Sequence, residues 1–498
     1  MMRQRTVFLL CGLLVAGMCC TAIHAATYNN IELTKLRTFL LQESAEAGVK
    51  NYQQLGLKSM DDVDWGSVPG LYWNRSTFHL ERVTWDSRKL SGHLDLSGFV
   101  ELKALNCPFN KIKSVDVSNS KELQRMDFYT NELSFIDVTT NPLINYLRLG
   151  YNNISSIDLS NNTYLGFFCC TGNRIESLDV SDKAYLYEFY CVNNKIHTLL
   201  MDNCTSLKLA CCDLNRITNL HVNNLPALKT LNCTYNGMKT LLLTNCDKLE
   251  EMMCQYNDLD TLDVSNCVSL TKLVCNRNQL TSLTLEGCKN LTSLNCEYNL
   301  LTSLDVSSSP LLSTLYCKNN YLSFLTLPLP TQRLTDYDYN PQYDVVLESE
   351  YNNIDFSEFF NIKDNISVYI WSQVWVTTPI PPLESSGGRF AFDESFIGRT
   401  LLCRVQNFTY PNTVMRYLVT MTNEIMNNLN VQNDKSLIYA GDRSIHVQSD
   451  APAWVSIYSL AGRLVTNRQV DAGHTVLPFE RGAYVAVINN VSYKVIVR

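Results

Sequence analysis

Histidine is scarce in this chain: seven residues in 498, and beyond His24 in the leading segment the others, His79, His93, His197, His221, His446 and His474, are scattered over separate stretches. Histidine is the side chain that most often moves protons near neutrality, so acid–base chemistry has little to work with. HExxH, GxSxG and the phosphate-cradling GxxxxGK[ST] are missing as well, and no enzyme, cofactor or metal centre is expected. Basic residues are outnumbered, 41 Lys plus Arg against 48 Asp plus Glu, for a net charge of −7. Without a dense basic patch to meet phosphates, nucleic acid is not an expected partner. Past residue 26 no run approaches the length that spans a bilayer, so no transmembrane helix is expected. What the chain does have is 46% hydrophobic residues, 19 Cys and 26 Tyr. That composition excludes wholesale disorder, and the length leaves room for about three domains at roughly 150 residues each.

Residues 1–26 read as an export signal: basic Arg3 and Arg5, an apolar run from Val7 to Cys20, then the small-residue stretch Ala22 to Ala26. A lipoprotein reading through Cys19 or Cys20 is weakened by Met18, which stands where a small residue should precede the modified Cys.

The dominant feature is an internal repeat. Asn recurs at 110, 131, 152, 173, 194, 215, 236, 257, 278, 299 and 320, always 21 residues apart. Apolar residues keep step with it. Leu102, Leu123, Ile144 and their successors stand eight before each Asn, a Leu, Met, Phe or Ala five before, a Leu, Ile or Met two after, and further apolar pairs such as Leu262 and Val264 follow. One turn reads Leu270-x-x-Leu273-x-Cys275-x-x-Asn278-x-Leu280-x-x-Leu283-x-Leu285. From about 91 to 341 the chain resembles a leucine-rich repeat protein of the short bacterial 21-residue type, with Cys in the third apolar slot. Each Leu-x-Cys stretch is expected to form a short strand whose inward side chains stack on the previous turn. The later Leu-Asp-Val-Ser segment predicts a second strand on the opposite side, so that parallel sheets line both faces. At about 4.8 Å per turn the coil would be on the order of 50 Å long.

The repeat also accounts for the cysteines. Cys107, Cys170, Cys191, Cys212, Cys233, Cys254, Cys275, Cys296 and Cys317 stand three before the Asn, where Phe128 and Leu149 replace them in two turns. A slot that accepts Phe and Leu is a packing slot, where free Cys acts as a small hydrophobe. Cys204, Cys246, Cys267 and Cys288 recur ten after the Asn and read as packing residues too; a disulfide framework or metal site needs no such spacing. The Asn column is expected to satisfy backbone groups at the turns. Asp116, Asp137, Asp158, Asp179, Asp263 and Asp305 form a further column; aligned carboxylates suit calcium, but the interruptions and neighbouring Ser and Thr favour turn hydrogen bonding.

Function must then be written on the outward side of the first strand. The column six before the Asn includes Arg125, Tyr146, Phe167, Glu188 and Leu209, and the column four before includes Asp127, Arg148, Cys169, Tyr190, Cys211 and Met253. Tyr146, Phe167, Cys169, Tyr190, Leu209 and Cys211 are expected to form an exposed apolar cluster rimmed by Arg125, Asp127, Arg148 and Glu188, the make-up of a protein-binding hot spot. The column just before the Asn, with Phe109, Tyr151, Tyr235, Tyr256 and Tyr298, extends it. The candidate partner-binding residues are Arg125, Asp127, Tyr146, Arg148, Phe167, Tyr190, Leu209, Met253 and Tyr256.

Residues 27–90 differ in composition. Ile31, Leu33, Leu36, Leu40 and Leu41 predict a helix over Ile31 to Ala47, and Trp65, Trp73 and Trp85 lie nearby. The segment resembles the amino-terminal cap of secreted leucine-rich repeat proteins, a role favoured over sugar binding by the Trp trio. After Pro341 the period stops. Val368-Tyr-Ile-Trp371 and Gly398 to Cys403 resemble the Trp and later Cys strands of an immunoglobulin-like sandwich over 342–425, without the partner Cys for its core disulfide. Over 426–498, Ser459-Leu-Ala-Gly-Arg463, Gly482-Ala-Tyr484 and the terminal Lys494-Val-Ile-Val resemble the carboxy-terminal sorting domain of the type IX secretion system of Bacteroidota. That resemblance implies passage across the outer membrane and attachment to surface lipopolysaccharide. The whole is expected to be mainly β: a leucine-rich repeat solenoid with a helical N-terminal cap, an immunoglobulin-like β-sandwich and a small C-terminal β-sandwich. It is similar to internalin-related surface proteins of Bacteroidota, which implies adhesion to a host-cell receptor or bacterial surface protein, with roles in biofilm or virulence. A carbohydrate-binding module and a surface hydrolase are the alternatives.

Overall fold

The computed structural model describes residues 28–349, 352–422, 437–441, 444–449, 452–459, 464–479, 482–488 and 491–497. The export signal over 1–26 and residues 460–463 of the Ser459 to Arg463 motif lie outside the described residues. The chain divides into two compact units, Met1–Leu322 with Thr326–Tyr339, and Ser323–Leu325 with Asn340–Arg498.

The first unit is a β-solenoid with 21-residue turns. Its three-residue strands, from Ala104–Asn106 through Tyr146–Arg148 to Thr314–Tyr316, join one 14-stranded sheet. Neighbours pair in parallel with an offset of one repeat, as in Tyr146 opposite Phe167 and Glu188 opposite Leu209. The three apolar columns point inward and are buried throughout, Leu105, Phe168, Phe189, Leu231 and Ile196 being wholly inaccessible. Each such side chain contributes roughly 1.5–3 kcal/mol of hydrophobic stabilisation that a lone turn could not collect.

The Asn column closes the turns. Asn152 Nδ2 donates to the Phe128 and Leu149 carbonyls at 2.8 and 3.0 Å, while its Oδ1 accepts from Leu133 N at 2.9 Å. One side chain thus ties each turn to the one before, and the pattern holds to Asn320. The residue just before each Asn adopts a left-handed backbone, from Phe109 (φ 54°) to Asn319 (φ 54°), and only Gly172 among them lacks a side chain. The Asp column makes tight turns: Asp158 Oδ1 accepts from Ser160 N at 2.8 Å and Asp305 Oδ1 from Ser307 N at 2.8 Å. These backbone N–H groups hold both carboxyls below the usual carboxylate range.

The cysteines three before the Asn are buried, in the same slot as the inaccessible Phe128 and Leu149. The second cysteine column, Cys204, Cys246, Cys267 and Cys288, is buried as expected, in a slot that Leu225 also fills. The slot is also a hydrogen-bonding one: Asn141 Nδ2 donates to Val117 O at 2.9 Å, Ser120 Oγ to Leu96 O at 2.7 Å, and Cys204 Sγ to Val180 O at 3.0 Å. A thiol is a weak donor that fills the place of an amide or hydroxyl.

The opposite side departs from a continuous second sheet. It carries four separate two-stranded ladders: Ser91–Asp95 with Lys111–Asp116, Ser177–Asp179 with Thr198–Leu200, Asn219–Asn223 with Thr240–Thr244, and Thr261–Asp263 with Ser282–Thr284. Side-chain turns recur on this side both inside and outside the ladders, as where Thr139 N donates to Asp137 Oδ1 at 2.9 Å and Ser181 N to Asp179 Oδ1 at 2.8 Å.

The N-terminal helix, Asn30–Leu40, is capped by Asn29 and buries Leu36, Phe39 and Leu40. It ends seven residues short of Ala47, and beyond it Gly48, at φ 76°, turns the chain back so that Lys50 bridges Glu43. Ile31 and Leu41, expected inside, are exposed. Phe39 stacks on the wholly buried Trp85 (centroids 5.6 Å), and Trp73 Nε1 donates to Trp65 O at 3.0 Å, so the Trp trio is occupied in the cap.

In the second unit, Val345–Ser349, Val414–Met421, Thr400–Gln406 and Val368–Gln373 form one sheet, and Asn353–Asp355, Arg389–Ala391 and Glu384–Ser386 another. Trp371 pairs directly with Cys403 and packs on Phe356, Phe390 and Phe392. The Val368–Gln373 strand is followed by Trp375 in a left-handed turn at φ 67°. Further on, Ser444–Ser449 and Gly473–Pro478 share a core of Ile445, Val447, Val455, Ile457, Val470 and Leu477 with Ala453–Ser459 and Leu464–Val470. The chain is mainly β throughout. Among the described residues no helix is long and apolar enough to cross a membrane.

Candidate functional site

Parallel pairing without insertion brings the outward columns into register. Arg125, Tyr146, Phe167, Glu188 and Leu209 follow one another across five strands, and Asp127, Arg148, Cys169, Tyr190 and Cys211 run beside them. At strand spacing of about 4.8 Å, aromatic residues in successive turns must touch. Tyr146 and Phe167 stack with centroids 4.6 Å apart and planes 9° from parallel, and Tyr190 leans on Phe167 at 5.8 Å. The Arg125 guanidinium lies over Tyr146 at 3.5 Å, a cation–π contact that fixes one end of the row.

The rim is internally paired. Arg148 meets Asp127 at 3.4 Å and lies over Tyr129 at 3.7 Å, while Tyr190 Oη donates to Glu188 Oε2 at 3.2 Å. Burial, with Glu188 next in effect, pushes the Tyr190 phenol up to about 12; burial also raises Tyr146 and Tyr129 against the pull of their arginines. The row therefore carries no phenolate near neutrality.

Two features differ from the expected exposed cluster. Tyr146, Phe167, Tyr190 and Leu209 are half-buried, and Asp127 and Cys169 are buried. Their named ring, ion-pair and hydrogen-bond partners belong to the same and adjacent turns, so large side chains at close strand spacing cover one another. Met253 and Tyr256 stand apart from the row: Met253 lies two strands beyond Cys211, and Tyr256 sits in a left-handed turn stacked on Tyr235 at 4.2 Å. Seven of the nine candidate residues are thus brought together and two are not.

Residues outside the candidate set enlarge the region. Tyr129 joins Phe109 and Tyr151 in edge-to-face contacts at 5.6 and 5.2 Å. On the other flank a cleft of about 550 Å³ opens beside Tyr146 and Arg125, with Tyr164, Tyr185 and Tyr187 along it. The sequence signal was available: these tyrosines occupy the columns nine and seven before the Asn, where most turns carry charged or small polar residues. Among the described residues no cluster of His, Cys, Asp and Glu is arranged to hold a metal ion.

No known protein-family profile matches the sequence, and no curated protein does. Solved structures do match in fold. The functional domain of InlJ from Listeria monocytogenes, described as including a cysteine ladder, is 20% identical over 66% of this chain and 83% of its own, with a TM-score of 0.43. YopM, a leucine-rich effector protein from Yersinia pestis, is 21% identical over 50% of this chain and 78% of its own, at 0.32. A plant ice-binding protein is 14% identical over 59% of this chain and 96% of its own, at 0.36. In its 21-residue turns and parallel strand ladder the first unit is a leucine-rich repeat solenoid.

Proposed function

We propose that the chain is a cell-surface protein-binding adhesin, without enzymatic activity, that holds a host-cell receptor or bacterial surface protein on the strand face of its solenoid. The observation that carries this reading is the Tyr146–Phe167 stack, pinned by Arg125 and continued by Tyr190. Aromatic anchors on a backbone already fixed by its ladder lose little freedom on binding. The paired charges Arg148–Asp127 and the Glu188 carboxylate form a polar rim around them. Leu209 extends the apolar strip, and Met253 and Tyr256 make a secondary contact area on later turns.

Adhesion, biofilm and virulence roles follow from this reading. The resemblance of 342–425 to an immunoglobulin-like spacer and of 426–498 to a type IX sorting domain supports export across the outer membrane and display by the secretion machinery. The test is affinity capture from surface extracts of host cells and neighbouring bacteria, using wild type and a Y146S/F167S/Y190S triple variant. A protein retained by wild type and lost by the triple variant is the expected result. Equal capture by both removes the strand face from the interface, and turnover of an extract component would favour a hydrolase.

A further inference from the structure

The flank cleft has its own chemistry, distinct from that of the strand face. Tyr164 and Tyr185 lie 5.7 Å apart with planes 19° from parallel, and both remain more than half exposed. Gly166 keeps the floor low; a Cβ there would stand 3.1 Å from Tyr187 Cε1, so any larger residue would push that ring aside. Gln124 and Asn145, on the turns before Gly166 in the same column, also line the cleft, their side-chain amides exposed and without a hydrogen-bond partner among the described residues.

The lining contains one charged group, Arg125, and it is engaged: its guanidinium lies over Tyr146, and Nε donates to Asn106 Oδ1 at 3.3 Å. No free counter-charge awaits a sulfate, phosphate or carboxylate. Side-chain amides and tyrosine hydroxyls each donate and accept, which matches sugar hydroxyls, groups that do both. A proline-rich peptide also suits aromatic grooves, but its prolines lack an N–H and offer only carbonyl acceptors. The volume falls in the range of small-ligand sites, about 300–1,000 Å³.

The geometry points to this cleft as a binding site for a neutral saccharide, its rings packing against Tyr164, Tyr185 and Tyr187 and its hydroxyls bonding Gln124 and Asn145. The cleft shares Tyr146 and Arg125 with the strand face, but the saccharide contacts use neither, so either reading can fail alone.

The test is a printed array of neutral and acidic oligosaccharides, probed with the biotinylated full chain clustered on streptavidin so that weak sites gain avidity. Wild type is expected to bind neutral oligosaccharides. Y164A/Y185A should weaken that binding by roughly tenfold, the factor expected for loss of an aromatic contact. Y298A, on a turn outside the cleft lining, should leave it unchanged. Raising salt from about 0.1 to about 1 M, which shortens the Debye length from about 10 to about 3 Å, should have no effect. Both tyrosines are exposed, and matching melting curves will show that the variant is folded. Three results would overturn the assignment: no array binding by wild type, binding confined to acidic glycans, or binding indifferent to Y164A/Y185A. Displacement of the bound oligosaccharide by a polyproline peptide at lower concentration than free sugar would give the cleft to a peptide instead.

Discussion

Raising the pH should dismantle the solenoid at a point where most proteins are still folded. Nine thiols, from Cys107 to Cys317, line its interior; burial pushes Cys254 up to about 12 and raises the other eight by the same cause. In the unfolded chain a thiol titrates near 8.5. The folded form therefore keeps protons that the unfolded form gives up. The resulting stability is fully present below about pH 8.5 and is lost as pH rises toward the folded values. Between about pH 8.5 and 9.5 each thiol costs about 1 kcal/mol, close to the limiting 1.36 per unit, so nine cost about 9 kcal/mol. That is comparable to the whole stability of an ordinary domain, about 5–15 kcal/mol. The melting temperature, followed by far-UV circular dichroism under reducing conditions, should fall by roughly 10–15 °C across that unit. Replacing Cys254 and Cys275 together by Val should remove about 2 kcal/mol of the pH dependence. A melting point that moves by under about 5 °C, or a Cys254→Val/Cys275→Val slope equal to wild type, would show that the sulfurs are not in a desolvated interior.

Three further outcomes follow from the same turns. Asn257 accepts from Met238 N at 3.1 Å and donates to the Cys233 and Cys254 carbonyls at 3.1 and 3.0 Å; Asn257→Ala should cost about 2–4 kcal/mol in urea unfolding by leaving these buried groups unpaired, and a cost under about 1 would contradict the ladder. Leu214 holds a left-handed backbone (φ 56°) while its side chain is exposed. Leu214→Gly should accordingly raise stability by about 1 kcal/mol, and a loss would show that the turn tolerates side chains without strain. Of the 16 cysteines after residue 26 (19 less Cys11, Cys19 and Cys20) only Cys211 escapes burial. Brief treatment of the native protein with a thiol reagent at neutral pH should label Cys211 first, read by peptide mass mapping; early labelling of Cys254 or Cys275 would refute close packing.

The coil itself was legible in the sequence. A strict 21-residue period poses the same packing and hydrogen-bonding problem in every turn, so Leu273, Cys275 and Asn278 could each be assigned from column membership alone. Fixed register likewise placed Arg125, Tyr146 and Phe167 side by side. Three things depended instead on what adjacent turns do to one another, and only the folded chain decided them. The row from Tyr146 to Tyr190 is half-buried because its own rings cover it. The opposite side pairs only locally, in separate two-stranded ladders. The cleft beside Gly166 exists because that turn lacks a side chain where the next one carries Tyr187. A periodic pattern fixes which way each residue points, but the space left between outward residues is set by neighbours a whole repeat away.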